Sequence, residues 1–153
     1  MKKYEFTGET KEIRLLFRTT TLHRIRATVA FGIVEVGDLG GWIEKEENLS
    51  HEGKAWVCGD AEVWGNAKVF SASHVLVIGA IGSRNDFTTF YRDKDNEITV
   101  KCGCFLGKID RFLEKVTQTH GDSKYALVYR AAVEVAKLQI DLSGEAPKDA
   151  DEE

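Results

Sequence analysis

The chain has 153 residues, 42% of them hydrophobic, enough for one ordinary core or two small ones sharing an interface and too few for a large multidomain enzyme. Its net charge of −4 resides in the segment 143–153, where Glu145, Asp149, Asp151, Glu152 and Glu153 face only Lys148, so residues 1–142 are formally neutral. A neutral body argues against a broad nucleic-acid surface, which needs many phosphate contacts from a basic face, but it permits a small anionic ligand held by two or three cations.

The N-terminus has no succession of basic, apolar and small residues, and no apolar run is long enough to span a bilayer; neither a signal peptide nor a membrane segment is expected, and the expected compartment is the cytoplasm. Residues 4–36 contain "LHRIRATVAFGIVEV", rich in β-branched and aromatic residues and broken at Gly32 and Gly37. That composition predicts a pair of strands acting as a cap, with 1–39 as the first unit.

The phrase x-G-x-A-x-V then occurs three times in succession, in "EGKAWVCGDAEVWGNAKVF". Aligned on Gly53, Gly59 and Gly65, the fourth hexad position reads Ile43, Leu49, Ala55, Ala61, Ala67, Ser73, Gly79, and the sixth reads Lys45, His51, Val57, Val63, Val69, Val75, Ile81. Small and β-branched side chains two apart suit short strands with inward-facing residues, and glycine suits the bends between them. The expected architecture over 40–82 is a short left-handed parallel β-helix of slightly more than two coils, each of about 18 residues. So few coils need caps or other subunits to cover them.

After "IGSRND" the pattern changes. "FTTFYRDKDNEITVKCGCF" predicts two strands around a turn at 93–96. Ile109, Phe112, Leu113 and Val116 have helical spacing over 109–119, "THGD" interrupts, and Asp122 is placed to cap a second helix to about Ile140. Its expected apolar stripe is Tyr125, Val128, Tyr129, Ala132, Ala136 and Ile140. Residues 83–142 thus form a strand and two-helix module, so the fold class is mainly β with α, and the acidic segment 143–153 is expected to be disordered.

Catalytic signals are sparse. His51 and His74 are the candidate bases within the coils, with His23 and His120 outside them, and for neither His51 nor His74 is an orienting carboxylate partner expected. Cys102 and Cys104 share a strand face but lack further ligands nearby, so they read as small hydrophobes and no metal site is expected; with Cys58 they are taken as reduced thiols. No phosphate-binding glycine loop or serine elbow occurs, and no cofactor or catalytic residue is assigned. Binding-type residues cluster later: Arg84 and Asn85 precede Phe87, Thr88, Thr89, Phe90 and Tyr91, while Tyr125 and Tyr129 lie one turn apart beside Arg130, with Glu134 a turn further on. A bland reading has these aromatics as core and Arg130–Glu134 as a surface pair.

"GDLGGWIEKEENLSHEGKAWVCGDAEVWGNAKV" resembles phage and prophage hexapeptide-repeat proteins. The run from "IGSRNDFTTFYRDKDNEITVKCGCF" to "AAVEVAKL" is similar to a module that follows such repeats, and it looks like the phage anti-Thoeris sponge family. That resemblance implies a non-catalytic anti-defence protein in the cytoplasm of an infected bacterial host. Its partner would be a small nucleotide signal, of the cyclic ADP-ribose type or a cyclic oligonucleotide, and it would work as a homo-oligomer, a trimer or a multiple. The implied ligand-binding residues are Arg84, Asn85, Phe87, Phe90, Tyr125, Tyr129 and Arg130. The rivals are a trimeric hexapeptide acyltransferase and an oligomeric structural scaffold.

Overall fold

The computed structural model describes residues 2–14, 18–65, 67–103 and 105–143. Cys104 and segment 144–153, on which two of the expectations above fall, lie outside the described residues. Mainly β with two α-helices, the chain arranges its strands in two four-stranded sheets.

The first sheet begins with β1 (Tyr4–Arg14) and β2 (Thr19–Ala27), a pair of strands where the sequence predicts one, and they run antiparallel. The apolar segment "FGIVEV" is not a strand. It turns tightly, with Phe31 bridged to Val34 and Gly32 and Gly37 at positive φ. Next come β3 (Leu39–Ile43), antiparallel to β2, and the two-residue β4 (Glu62–Val63), parallel to β3.

In the hexads, side-chain direction follows expectation and coil geometry departs from it. Ala55, Val57, Ala61, Val63, Ala67 and Val69 are at most 2% exposed, and Gly53, Gly59 and Gly65 all adopt the positive φ that glycine tolerates at no steric cost. The chain does come back alongside itself: Trp42 pairs in parallel with Glu62, Ile43 with Val63, and Leu49 with Val69. Each pairing spans 20 residues, however, and the inward register stops at Val69, with Ser73, Val75 and Ile81 only half-buried. Among the described residues the strands do not draw the stacked coils of a left-handed β-helix. Lys45, an expected inward position, is exposed.

The physical reason is that 75–81 finds a different partner. It forms β5 (Val75–Ile81), which pairs antiparallel with β6 (Asp86–Arg92), and the second sheet continues through β7 (Ile98–Cys102) to β8 (Phe105–Lys108), a strand that "CGCF" did not announce. The turn between β6 and β7 is organised by Asp93. Its fully buried carboxylate accepts from the Asp95 and Glu97 amides, the Thr99 hydroxyl at 2.7 Å and Lys108 Nζ at 2.7 Å. Burial opposes the Lys108 charge, but hydrogen bonds to Asp93, Asp95 and Glu97 outweigh it and hold the ammonium pKa above its ordinary value.

Two helices, α1 (Ile109–His120) and α2 (Lys124–Gln139), pack on this second sheet. The cap of α2 is Ser123 by position, without a side-chain bond; Asp122 instead points outward and pairs with Arg130 at 3.7 Å. The buried stripe is Ala126, Tyr129, Ala132, Val133 and Ala136, so Tyr125 and Val128 lie outside it.

The two halves are fastened together. Tyr91 of β6 is buried in the core of the first half, among the inward hexad residues, and donates to Trp64 O at 2.9 Å, Arg92 Nε donates to Lys68 O at 3.1 Å, and Lys68 N donates to Arg92 O at 2.9 Å.

Candidate functional site

An open cavity of about 220 Å³ lies in the second half, lined by the second sheet and both helices. The β5–β6 turn supplies Ile81, Ser83, Arg84 and Asp86; β7, β8 and the turn between them supply Cys102, Gly103 and Phe105; α1 supplies Phe112, Lys115, Val116, Thr119 and His120; α2 supplies Tyr129. Helical spacing aligns Phe112, Val116 and His120 on one side of α1, and the buried stripe of α2 turns Tyr129 toward them.

Rings form much of the lining. Tyr129 meets Phe112 edge to face at 5.7 Å and stacks on His120 at 5.7 Å and 26°, while Phe105 leans on Phe112 at 5.4 Å. Burial raises the Tyr129 hydroxyl pKa to about 12, helped by the neighbouring Cys102 thiol and Asp86 and opposed by Arg84. Gly82, at φ +81, passes so close that a Cβ there would overlap the Tyr129 hydroxyl. Cys102 accepts from Thr88 Oγ1 at 3.4 Å and sits half-buried in the lining, a more exposed position than a core hydrophobe would take.

Charge collects at the rim. Arg84 and Lys115 form no ion pair with any described residue, and the acid that lines the cavity with them is Asp86. A ring-lined cavity with surplus cations can hold a small molecule that combines an aromatic face with an anionic group.

Of the residues anticipated from sequence, the cavity unites Arg84 and Tyr129. The others are placed elsewhere, each for a physical reason. Asn85 takes φ +52 in the β5–β6 turn, where its amide donates to Gly82 O at 3.2 Å. Phe87 covers Gly79 and lines a separate, polar cleft beside Lys11 and Lys101. Phe90 is fully buried in the core against Phe112. Tyr125 is 43% exposed, does not line the cavity, and its ring lies tilted against His120 at 5.7 Å. Arg130 pins the connection between the helices, bonding Thr117 Oγ1 at 3.3 Å and Gly121 O at 3.1 Å, while Glu134 pairs with Lys137 at 3.6 Å.

Lys115 and His120 are not among the ligand contacts anticipated from sequence. Helical phase carries the only signal for them, since both lie on the Phe112–Val116 side of α1, but placing them against Arg84 needs the sheet.

The coil histidines have structural partners. His51 Nδ1 accepts from Lys3 N at 3.0 Å and the ring stacks on Tyr4 at 4.1 Å; His74 Nδ1 accepts from the Phe70 and Ser71 amides, each at 3.1 Å. The Nδ1 atoms of both rings are thereby engaged, and His51 Nε2 lies 3.9 Å from Glu46 Oε2, a carboxylate partner not anticipated from sequence. Burial lowers both pKa values; Glu46 opposes this at His51, while Arg92 reinforces it at His74. Among the described residues no three potential ligands converge on a metal position, and no helix is long and apolar enough to cross a membrane.

No protein-family model matches the chain, and no curated protein matches it.

Proposed function

We propose that the protein is a non-catalytic phage anti-defence protein that binds and sequesters a cyclic nucleotide immune signal, of the cyclic ADP-ribose type or a cyclic oligonucleotide. The binding place in this reading is the cavity between the β5–β6 turn and α1. The observation that carries it is that two exposed cations, Arg84 and Lys115, which form no ion pair with any described residue, line a cavity together with Phe105, Phe112, His120 and Tyr129. A phosphate engages the cations and a base packs against the rings, and tight holding without turnover asks for nothing more. Within this reading, residues 40–69 are a short hexapeptide coil acting as a scaffold for the second sheet. The engaged nitrogens of His51 and His74 lend acyl transfer less support.

The test is calorimetric titration with a cyclic ADP-ribose isomer and a cyclic dinucleotide, followed by heat denaturation and mass analysis of the released ligand. Saturable binding, recovery of the intact molecule and a 10- to 100-fold loss of affinity in Arg84→Ala are expected, the value of about one charge-assisted hydrogen bond. Recovery of a cleaved product overturns the non-catalytic reading. Absence of any bound nucleotide, with no shift in melting temperature, favours the scaffold.

A further inference from the structure

A second cleft, of about 540 Å³, lies where the two halves meet. Alternation along β6 sends Phe87, Thr89 and Tyr91 to one face of the strand; Tyr91 fills the core of the first half, while Thr89 and Phe87 line the cleft. From the first half β1 supplies Lys11 and β4 supplies Glu62, and β7 adds Lys101, the cross-strand partner of Thr89. Charge in the lining divides by burial. Among the more buried groups, the Glu62 carboxylate is shared by two ammonium groups, Lys11 at 2.6 Å and Lys101 at 3.3 Å; Lys101, which also donates to Gly103 O, is only 8% exposed. Two neutral donors in the same set have nothing to bond. Trp64 is wholly buried with its indole Nε1 unpartnered, and Thr89, 3% exposed, forms no side-chain hydrogen bond with any described residue. Two cations around one carboxylate leave a surplus positive charge, and buried donors without acceptors are costly, so this set calls for an acceptor that carries negative charge. Among the exposed groups the balance is reversed: Glu12, Asp60 and Asp86 outnumber Arg14, with Asp60 also reaching Arg24 at 3.6 Å, and the half-exposed Phe87 ring lines the cleft with them.

We propose that this cleft binds a small zwitterion of the basic amino-acid class, its carboxylate held by Lys11, Lys101 and the Thr89 hydroxyl and its cationic group by Glu12 and Asp86 beside the Phe87 ring. A carboxylate oxygen accepts from an ammonium and a hydroxyl at once, which supplies the acceptor that the buried set lacks. At the other end a guanidinium is preferred to an ammonium, because its planar fork suits carboxylates and its face stacks on an aromatic ring. A molecule carrying several phosphates would be repelled by the three exposed carboxylates, and a wholly apolar one would leave the polar lining without partners. The cleft shares Asp86 and Gly103 with the cavity assigned to a nucleotide, and the inference does not rest on that assignment.

Calorimetric titration of the full chain with L-arginine, L-argininamide and L-citrulline tests it: the amide removes the carboxylate charge, and citrulline replaces the guanidinium with an uncharged urea of similar shape. Saturable binding of arginine is expected, with each analogue weaker by about tenfold or more. Thr89→Val, nearly isosteric, should weaken arginine about three- to tenfold with an unchanged or raised melting temperature, since the hydroxyl bonds no described residue in the free protein. A threonine with a purely structural role would leave affinity unmoved. Lys11→Met should weaken arginine by about tenfold or more, whereas Lys115→Ala, in the other cavity, should leave it unchanged. No arginine binding up to about 10 mM overturns the proposal. So does binding that argininamide or citrulline matches, and so does an arginine affinity that survives Thr89→Val and Lys11→Met intact.

Discussion

Tyr129 and Gly82 occupy each other's space, and that contact builds one wall of the cavity. Gly82→Ala adds a Cβ where the tyrosine hydroxyl lies and forces a positive φ on a residue that resists it, so a loss of about 1–3 kcal/mol is expected in chemical denaturation. In a Tyr129→Leu background the same change should cost less than additivity predicts, because the overlapping atoms are gone. Protonation gives a second prediction at this scale. The folded-state pKa values of His51 and His74 lie below 6.5, so the unfolded chain takes up protons first. Their contribution to stability is complete above pH 6.5 and drains away as pH falls through the folded-state values. Lys3 obeys the same rule in alkali. Burial lowers its pKa to about 8 from 10.5, so stability should rise between pH 8 and 10.5, and Lys3→Met should flatten that limb of a pH–melting curve.

Among the elements, the packing of β3 on the hexad segment depends on two glycines that no bend requires. Gly40 and Gly41 let β3 approach the hexads: a Cβ on Gly40 would come within 2.7 Å of Ile25 Cγ1 and Trp56 Cζ2, and one on Gly41 would run into the Ala61 carbonyl. Gly59, at φ +58, has open space where a Cβ would project, with no neighbour within 4 Å. Gly41→Ala should therefore cost several kcal/mol, because backbone must move, whereas Gly59→Ala should cost only about the 1–2 kcal/mol of left-handed strain. Comparing their urea midpoints checks the ranking. The hexad glycines are legible in the sequence as bends, but the Gly40–Gly41 pair is not, since close approach depends on which strand lies opposite. For the same reason the alternation 55, 57, 61, 63, 67, 69 is readable as an inward set, while the switch of 75–81 into an antiparallel sheet is not: alternating apolar residues serve either pairing equally well.

At the scale of the molecule, β6 belongs to both halves. One face places Tyr91 in the core of the first half and the other places Phe90 among the helices, so the two clusters share a strand. Both halves are expected to unfold in one transition, with coincident melts by near-UV circular dichroism, which reports the tryptophans of the first half, and by far-UV ellipticity, which reports α1 and α2. Tyr91→Ala removes a buried ring and its bond to Trp64 O, should destabilise by about 3–5 kcal/mol, and should separate the two melts if the strand is the coupling element.

The sequence by itself determined what local chemistry controls: an inward hexad set with glycine bends, a turn at 93–96, two helices broken at Gly121, and a mainly β body with α. Periodicity and backbone preference act over a few residues, and they leave a direct mark on the order of the amino acids. Tertiary structure decided which of the binding-type residues meet. Arg84 and Tyr129 come together with Lys115 and His120, while Phe90 goes to the core and Arg130 to the helix connection, because those choices depend on how α1 and α2 lie across the second sheet. That arrangement is set by packing between segments distant in sequence, where each side chain's environment is supplied by residues that local order does not name.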